Sequence, residues 1–256
     1  MNRQAQAVVL LLLGGSVLKA SVTDVYLRYV KEGLRPFLIA AGVLLVAAAL
    51  TTLWYDLRGG GDDSDAHAEH GHDSQEQHRG GPGPGGGGHG HREPWVGWLL
   101  ILPALGLLLI SPPALGSFAA GQAGTALTGQ EIDEFPPLPE GDPVPLTLLD
   151  YAGRAILDEG TTLGDRRIQL TGFTAPGPDG EAILARMTLS CCAADGRPIK
   201  LGMSGDAPTW LPPDSWVEVV GRYTTRLGKD PVSDVDIPYV EVESWRRIDP
   251  PRQPYE

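Results

Sequence analysis

Residues 36–55 read PFLIAAGVLLVAAALTTLWY, an uncharged run from Pro36 closed by Trp54 and Tyr55. A bilayer span needs roughly 17–25 mainly apolar residues, and aromatic rings favour the headgroup zone. The stretch predicts a transmembrane helix and frames the rest of the chain. Two neighbours repeat the pattern less fully. Ala5–Val22 is interrupted only by Lys19, whose amine can reach the interface. Its competing reading is a cleaved signal peptide behind Met1-Asn2-Arg3, although Leu18-Lys19-Ala20 is a poor small-residue cleavage site. Trp95–Ser111 opens with Trp95 and Trp98 as interfacial anchors, and no charge occurs from residue 94 to residue 130. The predicted fold class is an α-helical transmembrane N-terminal region of three spans plus a small mainly-β C-terminal domain.

Five segments follow: residues 1–57 for the first two spans, 58–93 for a polar loop, 94–127 for the third span and a small-residue extension, 128–145 for a Pro/acid linker, and 146–256 for a soluble domain. All six histidines (His67, His70, His72, His78, His89 and His91) fall within 25 consecutive positions of the loop. Neutral imidazoles beside Asp65, Glu69 and Asp73 are what a chain needs to collect a divalent transition metal, and imidazole suits zinc, copper and nickel alike. The loop lacks apolar periodicity and Gly80–Gly90 is nearly all Gly and Pro, so disorder without a ligand is expected. A solvated polar linker is the plainer alternative.

In the last segment, Leu149, Ala152 and Ile156 recur at helical spacing, predicting a short helix over Leu146–Asp158. Five β-rich runs follow, Arg167–Thr174, Ala182–Ser190, Pro198–Met203, Trp216–Thr224 and Tyr239–Ile248, separated by turn signals such as Pro176-Gly177-Pro178-Asp179-Gly180. That strand number predicts an OB-like barrel or a sandwich, with Trp216 in its core. The paired acids Asp234 and Asp236 read as surface charge.

The chain carries 32 acidic and 20 basic residues, net −12, and residues 131–256 supply −10 of that. No basic stripe exists for nucleic acid. No phosphate loop, nucleophile elbow or metalloprotease motif occurs, so a non-enzymatic role is expected. Basic residues near the spans divide evenly between the two topologies, but residues 94–153 contain no Lys or Arg. This favours a cytoplasmic N-terminus and His loop with the C-terminal domain extracytoplasmic.

Cys191 and Cys192, the chain's only cysteines, are adjacent, with Asp195 three residues on. Neighbouring Cα atoms lie about 3.8 Å apart, below the usual disulfide separation, so a bond between them would be strained. Packing, soft-metal ligation with Asp195, and dithiol redox chemistry all remain open. No histidine lies in this domain to complete a Cys–His nucleophile.

The order of features, with Thr171-Gly172-Phe173, Ser190-Cys191-Cys192-Ala193-Ala194-Asp195 and Trp216-Val217-Glu218-Val219-Val220-Gly221, resembles the YcgQ-like family of permease subunits. That resemblance implies a bacterial, multi-pass cell-membrane protein partnered by a larger multi-span permease and by membrane lipid, acting in zinc homeostasis. A membrane-tethered dithiol or soft-metal protein, or a structural docking scaffold, are the alternatives.

Overall fold

The computed structural model describes residues 3–59, 105–106, 109, 113–127, 135–177 and 180–256. The chain divides into two units, one from residues 1–22 and 37–111, the other from residues 23–36 and 112–256.

The first unit contains α1 (Arg3–Val22) and α2 (Arg35–Gly59). At 1.5 Å per residue α2 extends ~37 Å, more than a bilayer's hydrocarbon core. Many of its apolar side chains are exposed, Phe37 by 70% and Leu44 by 69%. Small residues let the two helices approach: a Cβ on Gly14 would lie 2.9 Å from Val46 Cγ2, and one on Gly42 2.8 Å from Leu18 Cγ. Ser16, Ser21 and Thr52 return their hydroxyls to carbonyls one turn back, at 2.6–2.7 Å, so no side-chain hydroxyl among these three faces the apolar exterior unsatisfied. Among the described residues only α2 is both long and apolar enough to cross a membrane; the apolar part of α1, Gln6–Val22, is shorter. The three-span expectation is therefore met in part. Nearly all of Trp95–Ser111, and His67, His70, His72, His78, His89 and His91, lie outside the described residues.

The second unit is built on a five-stranded β-barrel. After β1 (Val144–Pro145) come β2 (Ile168–Pro176), β3 (Ala182–Thr188), β4 (Arg197–Gly205), β5 (Trp216–Lys229) and β6 (Asp236–Arg247). The sheet runs β2-β3-β4-β6-β5 and closes because β5 also pairs with β2. Every barrel pairing is antiparallel except β4 with β6. That order is consistent with an OB-like barrel. Alternation along β2 and β5 sends Ile168, Leu170, Val217 and Val219 inward, where they meet Leu184, Leu201 and Val240.

Two helices cover the barrel. α4 (Leu148–Leu157) buries Leu148, Tyr151, Ala152 and Ala155 against the core, and the Tyr151 hydroxyl donates to the Tyr239 carbonyl at 2.7 Å. Its start is held by the Thr147 side chain, which accepts from Asp150 N–H, and by the Glu256 carboxylate, which accepts from Leu148 and Leu149 N–H. α3 (Ser117–Gln122) lies on a second cluster in which Phe173 and Trp216 meet edge to face, 5.5 Å between centroids. Asp214 accepts from both Ser117 N–H and Ser117 Oγ, and a Cβ at Gly116 would collide with that carboxylate.

Several details differ from the sequence reading. Residues 113–127, read as a membrane-side extension, dock on the barrel through α3, an Ala126 N–H bond to the Pro198 carbonyl, and a Thr125 N–H bond to Asp230. The end of the proline-rich linker, read as extended spacer, forms β1 parallel to β2; an edge position tolerates the missing N–H of Pro145. β5 runs five residues beyond Thr224 and β6 begins three before Tyr239, with register shifts near Gly221 and Tyr223 that break the alternation there. Trp216 is 9% exposed, as expected of a core aromatic. Asp234 lies in the turn before β6 with φ 56°, and Asp236 pairs with Lys229 at the surface.

Candidate metal centre

Between β3 and β4 the chain must turn while its strands part, and residues 190–196 form that turn. Asp195 organises it. One carboxylate oxygen accepts from Ser190 N–H at 2.8 Å; the other accepts from Cys191 N–H at 2.8 Å and Cys192 N–H at 3.2 Å. The Cys192 side chain returns a bond from Asp195 N–H, so a single 3₁₀ turn over Ala193–Asp195 closes reciprocally.

This wrapping brings the three polar side chains together. Cys191 Sγ, Cys192 Sγ and an Asp195 carboxylate oxygen all lie within 4.8 Å of one another. Both thiols are free; Cys191 is exposed and Cys192 half-buried. Asp195, hydrogen-bonded by the Cys191 thiol and by three backbone N–H groups, is held down at about 2. The same bond works in reverse on the thiol: accepting its proton, the carboxylate pushes Cys191 up to about 11, with Cys192 adding to the rise. A cation reverses that balance, because a coordinated thiol is deprotonated outright. An ionised carboxylate offers about four acceptor sites, so three backbone donors and one S–H fill it. Loss of the thiol proton vacates the acceptor position that the Cys191 S–H had filled.

The turn is not free-standing. Residues 23–36, the connector between α1 and α2, lie against it. Val30 and Cys192 form an antiparallel bridge, flanked by Lys31 N–H to the Cys191 carbonyl at 3.1 Å and Ala193 N–H to the Tyr29 carbonyl at 2.7 Å. Lys31 Nζ reaches the Leu189 carbonyl at 3.3 Å. From the other flank, Leu115 packs on Gly196, where an added Cβ would come within 2.6 Å of Leu115 Cδ1. The Tyr255 hydroxyl ties both segments, donating to the Arg28 carbonyl and accepting from Leu115 N–H, each at 2.8 Å.

Residues 154–256 match the DUF1980 C-terminal domain. The match begins inside α4 and takes in all five barrel strands, so the DUF1980 C-terminal domain contains Thr171–Phe173, Ser190–Asp195 and Trp216–Gly221, the three stretches that carry the sequence resemblance. No curated protein and no solved structure shows significant similarity to the chain.

Sequence spacing thus picked out Cys191, Cys192 and Asp195, which the fold brings together. It did not pick out Tyr29–Lys31, whose backbone completes the turn. It also missed a second polar centre: Lys200 and Asp230, both nearly fully buried, pair at 3.0 Å, and Asp230 further accepts from Thr125 and Val232 N–H. Desolvation raises the Asp230 carboxyl, but those donors and the ammonium outweigh it and hold it below its usual range. All of its polar partners are internal, so this centre is a structural tie.

Proposed function

We propose that this chain is a non-enzymatic, membrane-anchored accessory protein that holds a thiophilic divalent metal, zinc foremost, at Cys191, Cys192 and Asp195. The observation that carries the reading is the convergence of two sulfurs and a carboxylate within 4.8 Å on a turn already wrapped around that carboxylate. Three ligands leave a position for water or for a donor from a partner, as a transfer site needs and a closed structural site does not. A redox dithiol needs a thiolate near neutral pH, and Asp195 opposes one.

The YcgQ-like resemblance supports service to a larger multi-span permease in metal homeostasis, with His67, His70, His72, His78, His89 and His91 collecting metal. On this reading the connector and the barrel it meets lie on one side of the membrane. If α1 and α2 both cross, the chain has to return once more before residue 113, and Trp95–Ser111 is the run that fits. The imidazole loop and the thiol turn then face opposite sides, the extracytoplasmic side being assigned to the barrel.

The test is Zn²⁺ binding to the purified full-length chain by chelator competition. Replacing Cys191 and Cys192 by Ser removes one tightly held equivalent while the barrel's circular dichroism and melt persist. Unchanged zinc content in that variant overturns the site.

A further inference from the structure

The backbone of Tyr29–Lys31 is the third wall of the thiol turn, although it belongs to the link between α1 and α2. In the antiparallel bridge Val30–Cys192 the flanking bonds, Lys31 to Cys191 and Ala193 to Tyr29, enclose a pair whose Cα atoms approach most closely, ~4.5 Å. Cys192 therefore carries its thiol on a backbone pinned from two directions, by Asp195 within the turn and by the connector across it. Cys191 is held likewise through its N–H and its carbonyl. Behind the connector lies a cavity of about 400 Å³ walled by Val30, Lys31, Leu189, Arg186 and Glu256. Elsewhere the connector is anchored by buried Tyr26 and Leu27 and by the Tyr255 bond to Arg28, so the bonds at Tyr29 and Lys31 are its main-chain contact with the turn itself.

We infer that the connector is a clamp on the metal turn: docking of Tyr29–Lys31 pre-organises Cys191 and Cys192 for a divalent metal, and a bound metal in turn locks the connector to the barrel. The inference rests on the metal reading above and adds its regulation. The direction follows from entropy. A docked connector has already restricted the turn that carries both thiols, so the metal orders less chain on binding. Reciprocity then requires that metal strengthen docking by the same factor. Since the connector follows α1 and leads into α2, metal occupancy on the barrel restrains the segment that links them.

Position 31 separates the parts of this argument. Lys31 has φ −62°, a value proline adopts without strain, so Lys31→Pro deletes the N–H to Cys191 and leaves the local path intact. Lys31→Gln keeps that N–H and removes only the ammonium. In the full-length chain in detergent, Lys31→Pro weakens Zn²⁺ binding about fivefold or more, the low end of measured couplings, whereas Lys31→Gln stays near wild type. In the wild-type chain Zn²⁺ slows amide hydrogen exchange over residues 29–31 and 191–193. Wild-type affinity in Lys31→Pro, or equal losses in both variants, overturns the clamp. Should Lys31→Pro lose its melt, the wild-type exchange decides alone, and exchange unaffected by bound zinc overturns it too. A wild-type chain that binds no more zinc than the Cys191→Ser/Cys192→Ser variant fails differently: the metal reading falls, and the clamp with it.

Discussion

Asp195 shows how one carboxylate can set a turn's shape and its chemistry together. It satisfies three backbone donors that the parting strands leave without partners, and the same charge discourages ionisation of the thiol it touches. The two effects respond differently to pH. Because its folded value is depressed to about 2, Asp195 supports the turn fully above its ordinary 3.8, and that support is lost as pH falls through about 2. Cys191 behaves oppositely toward alkylating reagents: only the thiolate reacts, so its reaction rate should keep rising to near pH 11. Asp195→Asn removes the charge, and the midpoint of the rate–pH profile for Cys191 should shift down by a unit or more. Iodoacetamide kinetics resolved by peptide mass spectrometry check this, and an unmoved midpoint would rule out the carboxylate as the cause. The proximity of Asp195 to the cysteines was legible because a single 3₁₀ turn needs only local spacing.

At the level of elements, the buried tie between Lys200 on β4 and Asp230 after β5 is one of the contacts that hold residues 113–127 on the barrel, through Thr125 N–H. Asp230→Ala strands the Lys200 ammonium and the Thr125 and Val232 N–H groups, and should cost about 3–5 kcal/mol, as breaking a buried pair does. Denaturant unfolding measures it; a loss under ~1 kcal/mol would show the pair to be solvated. Tyr151→Phe tests the contact between α4 and β6 and should cost roughly 0.5–1.5 kcal/mol, the usual net value of one hydrogen bond. The barrel strands and α4 were readable in advance because alternation along β2 and a helical period are local signals, although the stripe read from Leu149, Ala152 and Ile156 shares only Ala152 with the buried face of Leu148, Tyr151, Ala152 and Ala155. α3 was not. Its sequence, Ser117–Gln122, is short and carries no stripe, and what fixes it is Asp214, 97 positions away from Ser117. The far end of β5 escaped notice because the register shift after Tyr223 places Arg226 and Leu227 in solvent, where no alternation marks a strand.

For the whole molecule, the decisive contact joins the connector to the barrel. No sequence pattern announces it, since an antiparallel bridge between main chains leaves no side-chain signature on either partner. Its consequence for topology can be measured. In a Cys191→Ser/Cys192→Ser background, cysteines introduced by Glu32→Cys and Gln75→Cys should react with a membrane-impermeant maleimide from opposite sides of oriented vesicles. In the otherwise wild-type chain, Cys191 should label from the same side as position 32. Labelling of positions 32 and 75 from one side would remove the third span from the proposal.

Chain order and spatial order disagree in this protein. The connector emerges early from the ribosome, yet 158 residues separate Lys31 from its partner Leu189. At 5–20 residues per second, synthesis of that interval takes on the order of 8–30 s. Throughout that time the Tyr29 carbonyl and the Lys31 N–H have no barrel to bond to. The two following hydrophobic runs must leave the translation machinery first. The clamp can close only after the barrel has formed the turn that receives it, so docking of the connector is a late step of maturation. A truncation before Leu189 would remove every partner that the connector meets on the turn.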